Sequence, residues 1–142
     1  MFIRSLTPED YDDLITLWEK SGLPYRSEGR DSRASIQKQI EEDPDLFLGA
    51  FLNNELIGAV IASFDGRKGW INRLAVSPEY RRRGVAQELI NAAENALKKR
   101  GAAVIGALIF ETNEKSLILF EKMGYTIHND IRYVSKREST EC

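Results

Sequence analysis

At 142 residues the chain has the length of one ordinary domain, enough to bury a core without disulfide or metal staples. Its 22 acidic and 20 basic side chains leave a formal charge of −2, which argues against a general nucleic-acid or membrane binder. The single cysteine, Cys142, and the single histidine, His128, make neither a disulfide framework nor a zinc-ligand set, and no apolar run has signal-peptide or membrane-spanning character, so a soluble, cytoplasmic setting is expected.

Phe2 to Ser5 reads as a short strand. Thr7-Pro8-Glu9-Asp10 then opens a helix: threonine can cap, proline suits the first turn, and the two acids favour the positive end of the dipole. Tyr11, Leu14, Ile15 and Trp18 share one face of that helix, which stops near Ser21-Gly22. Leu23 to Arg30 is polar and irregular, and a second helix is expected from about Asp31 to Glu42. Leu46 to Leu52 and Glu55 to Phe64 are apolar runs joined at Asn53-Asn54, a hairpin pattern. After a turn at Asp65 to Gly69, Trp70 to Val76 is a third run of this kind. Val85 to Arg100 is an amphipathic helix closed by Gly101. Ala103 to Phe110 is a continuous apolar run, read as a central strand covered on both faces. Thr112 or Asn113 caps a further helix that ends at Gly124, and Tyr125 to Ile127 and Ile131 to Val134 read as closing strands.

No repeat, low-complexity stretch or linker divides the chain, so residues 1–142 are read as one domain with a polar tail from about residue 136. The order predicts an α/β (α+β) fold, with a mixed, mainly antiparallel central sheet of about six to seven strands flanked by about four helices.

The densest positive charge lies in Arg81-Arg82-Arg83-Gly84-Val85-Ala86, between a strand and a helix. First-turn amides lack internal partners and carry the positive end of the helix dipole, which suits an anion. Gly84 and Ala86 keep bulk away from that backbone, and the arginines add forked donors. A phosphate- or pyrophosphate-bearing small molecule is the ligand that this pattern fits. A nucleotide P-loop is not, because the lysine and following serine or threonine are missing. The alternative for such a run is a solvated surface.

Together with its surroundings, the run resembles the GNAT superfamily of acetyl-coenzyme A-dependent N-acetyltransferases. Leu74-Ala75-Val76 precedes the Arg/Gln-x-x-Gly-x-Gly/Ala pattern at Arg81 to Ala86, and the asparagine-led helix ending in Gly-Tyr matches Asn113 to Tyr125. The resemblance implies a GNAT-like acyl-CoA N-acyltransferase fold and direct transfer of acetyl from acetyl-CoA, with no metal, to a primary amine of an unidentified small molecule or peptide. It implies that Arg81, Arg82, Arg83, Gly84, Val85 and Ala86 hold the pyrophosphate. Leu74, Ala75 and Val76 would line the pantetheine and acetyl group, and the Leu74 amide would act as the oxyanion donor. Asn113 would touch the pantetheine or thiol region, or serve only as a helix cap. Phe120 would also contact the cofactor, at the position where many relatives carry a tyrosine acid, and Leu108 stands where relatives that acetylate ribosomal-protein N-termini carry a glutamate. Glu111 is the nearest carboxylate to act as base, with Glu28, Asp31 and His128 as further candidates. On the acceptor side the resemblance implies the segment from Leu23 to Arg33, with Tyr25, Arg26 and Glu28, together with Asn72 and Trp70. Partners are therefore acetyl-CoA and an amine, with no nucleic acid or membrane, the chain acting alone or as a homodimer. The alternative is an acyl-CoA-binding regulatory module with little turnover.

Overall fold

The computed structural model describes residues 1–139, so Cys142 lies outside the described residues. In chain order the elements are β1 (Phe2–Ser5), α1 (Tyr11–Ser21), α2 (Arg33–Glu42), β2 (Phe47–Leu52), β3 (Glu55–Phe64), β4 (Lys68–Val76), α3 (Val85–Lys99), β5 (Val104–Ala107) and α4 (Glu114–Lys122). One sheet runs β1-β2-β3-β4-β5, antiparallel throughout except for the parallel β4–β5 pair. The fold is the expected mixed, mainly antiparallel sheet with four helices.

Local chemistry sets the element ends. Asp10 accepts from the Thr7 amide at 2.8 Å and from Arg4 at 2.8 Å, which fixes the entry to α1. Gly22, at φ +75°, turns the chain out of α1. Asn53 and Asn54 both adopt left-handed φ, 51° and 64°, as a two-residue hairpin turn with the twist of its strands requires. Ser32 caps α2 by accepting from the Ser35 amide at 3.2 Å. The helix therefore begins at Arg33 and leaves Asp31 in the preceding loop.

The two faces of the sheet are covered by different helices. A Cβ built on Gly58 would meet Val85 and Leu89 of α3 at 3.0 Å, so α3 lies close on that face. Ile61, three residues on, faces the other side, and its β4 partner Arg73 reaches Trp18 of α1 there. Leu14, Leu17, Trp18, Ile36 and Ile40 fill the core on the α1–α2 side. On the other side Val85, Leu89, Ile90, Ala93 and Leu97 bury the apolar stripe of α3. At the C-terminal end of α3 Arg100 forks onto Asp45 and also donates to Asp43 at 2.8 Å, tying the helix to the turn before β2. Among the described residues no helix is long and apolar enough to cross a membrane.

Three expectations need correction. Among the described residues the sheet has five strands, fewer than the six to seven expected, because Tyr125–Ile127 and Ile131–Val134 form no ladder there. Their residues have strand propensity, but a strand exists only where a neighbour accepts its hydrogen bonds, and Ile131, Tyr133 and Val134 remain exposed. The apolar run from Ala103 to Phe110 is ordered as a strand only over Val104–Ala107. It lies at the sheet edge, with Val104, Leu108 and Phe110 exposed, so it is not a central strand covered on both faces.

Candidate functional site

The site begins with a bulge in β4. Ile61 pairs with Arg73 and Ala62 with Ile71, so Asn72 is an extra residue in β4. On the other edge β4 pairs with β5 only from Lys68↔Val104 to Ile71↔Ala107. The parallel ladder thus ends where the bulge bends β4. Beyond it, Arg73–Val76 stays paired to β3 but, among the described residues, has no partner on the β5 side. Backbone groups of that stretch that point away from β3 are open to hydrogen bonding in the gap. Leu74 and Val76, half-buried, pair with Val60 and Gly58 and share their face of the sheet with α3.

The same strand leads into the N-terminus of α3. Gly84 is the cap position at φ +78°, and no side chain caps the helix. A Cβ on Gly84 would meet nothing within 4 Å, so the approach to the first-turn amides is open. Arg82 also adopts a positive φ, 66°, a conformation that non-glycine residues take at a cost. Left-handed residues at 82 and 84 flank Arg83, a turn sequence of the kind that can gather backbone N–H groups into an anion-binding nest. The arginines differ in placement. Arg81 donates to the Val76 and Ser21 carbonyls, each at 3.3 Å, and so braces the loop against the ends of β4 and α1. Arg83 lies over the Tyr80 ring at 5.4 Å, and Arg82 is exposed.

The loop between α1 and α2 is fastened to β4 through Arg73. The guanidinium lies over Trp18 at 4.2 Å, donates to the Pro24 carbonyl and sits 3.7 Å from Asp31 Oδ2. That oxygen accepts from the Arg26 amide at 2.8 Å, and the Asp31 carbonyl accepts from Tyr11 Oη at 2.7 Å. Arg73 Nε is buried without a partner. Burial pushes the Arg73 pKa below the usual arginine range, with Asp31 pulling the other way. Neither Arg73 nor the burial of Asp31 was read from the sequence. The available signal was a lone charge inside the apolar strand Trp70 to Val76, since a buried charge needs a partner.

The remaining expected residues divide clearly. Tyr25 donates its hydroxyl to Glu19 and packs near Trp18, their rings 6.4 Å apart, so it holds the loop. Arg26 acts through its backbone amide, and Glu28 is exposed. Asn72 donates to Ser63 Oγ at 2.9 Å. Trp70 covers Gly106 of β5, where a Cβ would stand 3.0 Å from its ring. Asn113 caps α4, its Oδ1 accepting from the Ser116 amide at 3.3 Å. Phe120 belongs to the core and meets Tyr125 edge-on, ring centres 4.9 Å apart, while Tyr125 donates to Glu94 at 2.6 Å. Burial first, and then Glu94, pushes the Tyr125 pKa up. Glu111 lies exposed in the turn before α4, and Leu108 and His128 are exposed as well. Val85 is buried at the first turn of α3, with Ala86 half-buried beside it.

A family model described as the Acetyltransferase (GNAT) family matches residues 11–125. The acetyltransferase SG1711 of Sodalis glossinidius (strain morsitans) is 33% identical over 139 residues, covering 96% of this chain and 95% of that protein. Among solved structures, the PaiA N-acetyltransferase from Thermoplasma acidophilum in complex with coenzyme A superposes with a TM-score of 0.78 at 24% identity, over 89% of this chain and 90% of that one. An aminoglycoside 6'-N-acetyltransferase from Acinetobacter haemolyticus gives a TM-score of 0.76 at 23% identity, over 98% of this chain and 100% of the other. At these identities the two structures speak for the fold alone.

Proposed function

Because the chain belongs to the GNAT acetyltransferase family, we propose that it binds acetyl-coenzyme A between the nest at Arg81–Ala86 and the gap beside β4, and passes the acetyl group directly to a primary amine. The observation that carries this reading is the continuity of the two features. The uncapped end of α3 lies eight residues beyond Val76, where β4 ends with one edge unpaired. A long ligand with an anionic middle and a peptide-like arm is complementary to that path. The nest amides around Gly84 take the pyrophosphate, aided by Arg82 and Arg83. The Leu74 carbonyl and the Val76 amide, which face the unpaired edge of β4, pair with the amides of the pantetheine arm. The PaiA protein was crystallised with coenzyme A, which accords with this assignment.

In the transfer, the amine nitrogen attacks the thioester carbonyl carbon, and an N–C bond forms as the C–S bond breaks. The carbonyl oxygen gains negative charge in between, and the Leu74 amide is the donor assigned to it. The sulfur leaves as thiolate, a fair leaving group with a reference thiol pKa of about 8.5. No hydroxyl stands at position 120 to protonate it. The proton lost by the amine goes to Glu28 or Glu111, the exposed carboxylates of the candidate set. Asp31 is excluded from that role because it is buried between Arg73 and the Arg26 amide.

The test is thiol release from acetyl-CoA over a panel of amino acids, polyamines, aminoglycosides and peptides. Amine-dependent release that falls in a folded Gly84→Ala variant supports the proposal. Tight acetyl-CoA binding with no release for any amine favours a regulatory acyl-CoA-binding module instead.

A further inference from the structure

A cavity of about 430 Å³ lies between the α1–α2 loop and the C-terminal segment. Glu28, Gly29 and Arg30 line one side, and Tyr133, Ser135 and Lys136 line the other, with Arg137 beside them. The sequence reads the chain beyond Ser135 as a polar tail. In the structure this tail supplies a wall of the cavity.

Among the described residues, the charges at and beside the cavity are unbalanced. Asp31 Oδ2 stands 3.9 Å from Arg30 Nε and 3.7 Å from Arg73 Nη1, so one carboxylate faces two guanidiniums. Both separations exceed hydrogen-bond length, and the nearer bond of that oxygen is to the Arg26 amide. Arg73 Nε is buried with no partner. The Arg30 side chain is 54% exposed, so its fork remains open to a ligand. Across the cavity Lys136 and Arg137 add further cations, and Glu28 is the one carboxylate among the described lining residues. A planar guanidinium fork matches a carboxylate, while Glu28 suits an ammonium. The space accommodates a small molecule but not a folded partner. Arg30 also adjoins Asp31, which pairs with Arg73, the residue preceding Leu74.

We propose that this cavity selects acceptor amines that also carry a carboxylate, molecules of the amino-acid type, with Arg30 and Lys136 receiving the carboxylate. The inference rests on the acetyltransferase reading above and narrows its acceptor class.

The experiment uses amine pairs that differ only in the carboxylate: lysine and cadaverine, ornithine and putrescine, phenylalanine and phenethylamine. O-Phosphoethanolamine and ethanolamine form a separate arm that distinguishes phosphate from carboxylate. Thiol release is measured for the wild type, Arg30→Gln and Lys136→Gln, with circular dichroism to check folding and calorimetry for acetyl-CoA affinity. A charge-assisted contact predicts that at least one carboxylate-bearing member exceeds its partner about tenfold in kcat/KM. Each variant should lose most of that preference through a raised KM, with turnover of the decarboxylated member and acetyl-CoA affinity unchanged. Equal or faster turnover of every decarboxylated member overturns the proposal, as does a lack of turnover of any carboxylate-bearing amine. It is also overturned by a preference that survives both substitutions, or by one confined to the phosphate arm. Failure of the wild type to bind acetyl-CoA is a different result and removes the transferase reading itself.

Discussion

Gly84 and Gly101 mark the two ends of α3, and both hold positive φ, 78° and 101°, with open space where a Cβ would project. Alanine at either position therefore costs about 1–2 kcal/mol in stability from the left-handed backbone alone. Only Gly84 lies on the path assigned to the pyrophosphate. Gly84→Ala is expected to weaken acetyl-CoA binding, and Gly101→Ala to leave it unchanged at a similar loss of melting temperature. Parallel loss of affinity in both variants would mean that strain, not access to the nest amides, governs binding. Phe120 poses a different question, because the residue is 5% exposed and its ring packs on Tyr125. Phe120→Tyr places a hydroxyl among apolar neighbours and is expected to lower stability by about 1–3 kcal/mol without changing turnover per folded molecule. A rise in turnover would return position 120 to the active site as an acid.

Two arginine–aspartate clusters fasten element ends, and they set the acid response of the fold. Hydrogen bonding from Arg4, followed by the Thr7 amide, holds the Asp10 carboxyl below its ordinary pKa at the entry to α1. Arg100 does the same for Asp45 beside the end of α3. A carboxylate whose pKa is lower folded than unfolded contributes stability above the unfolded value, about 3.9, and that stability is lost as pH falls through the folded value. The melting temperature is thus expected to hold as pH falls from neutral to about 5 and to drop below about pH 4. Asp10→Asn should flatten part of that drop and lower stability at neutral pH. An acid limb identical in Asp10→Asn and the wild type would show that Arg4 and Thr7 are not its source. The bulge at Asn72 belongs to the same scale, since it ends the β4–β5 ladder and turns Arg73 toward Trp18 and the α1–α2 loop.

At the scale of the whole molecule, much of the architecture was legible because it rests on short-range chemistry. The Asn53-Asn54 turn, the stripe of α3 and the glycine ends of its helices are written in adjacent residues. The arginine-glycine loop was legible for the same reason. What was not legible depends on pairing at a distance. The apolar run from Ala103 promised a long central strand, yet β5 stops at Ala107 because a bulge in another strand removes its partner. Ile131 to Val134 has strand propensity but no ladder. Asp31 and Arg73 are separated by a helix and two strands in sequence, and neither identity announces their junction. The cavity between Arg30 and Lys136 likewise brings a loop and a tail together with no local signal. Most of the proposed acceptor side lies in such long-range junctions, whereas the assigned coenzyme side is one continuous stretch from Leu74 to Ala86. The most direct test of the account is a calorimetric titration of acetyl-CoA into the wild-type protein, with the Gly84→Ala and Gly101→Ala variants beside it. The account predicts saturable binding with one site per chain, weakened by Gly84→Ala and preserved in Gly101→Ala. No binding to the wild type, or binding indifferent to Gly84→Ala, would contradict it.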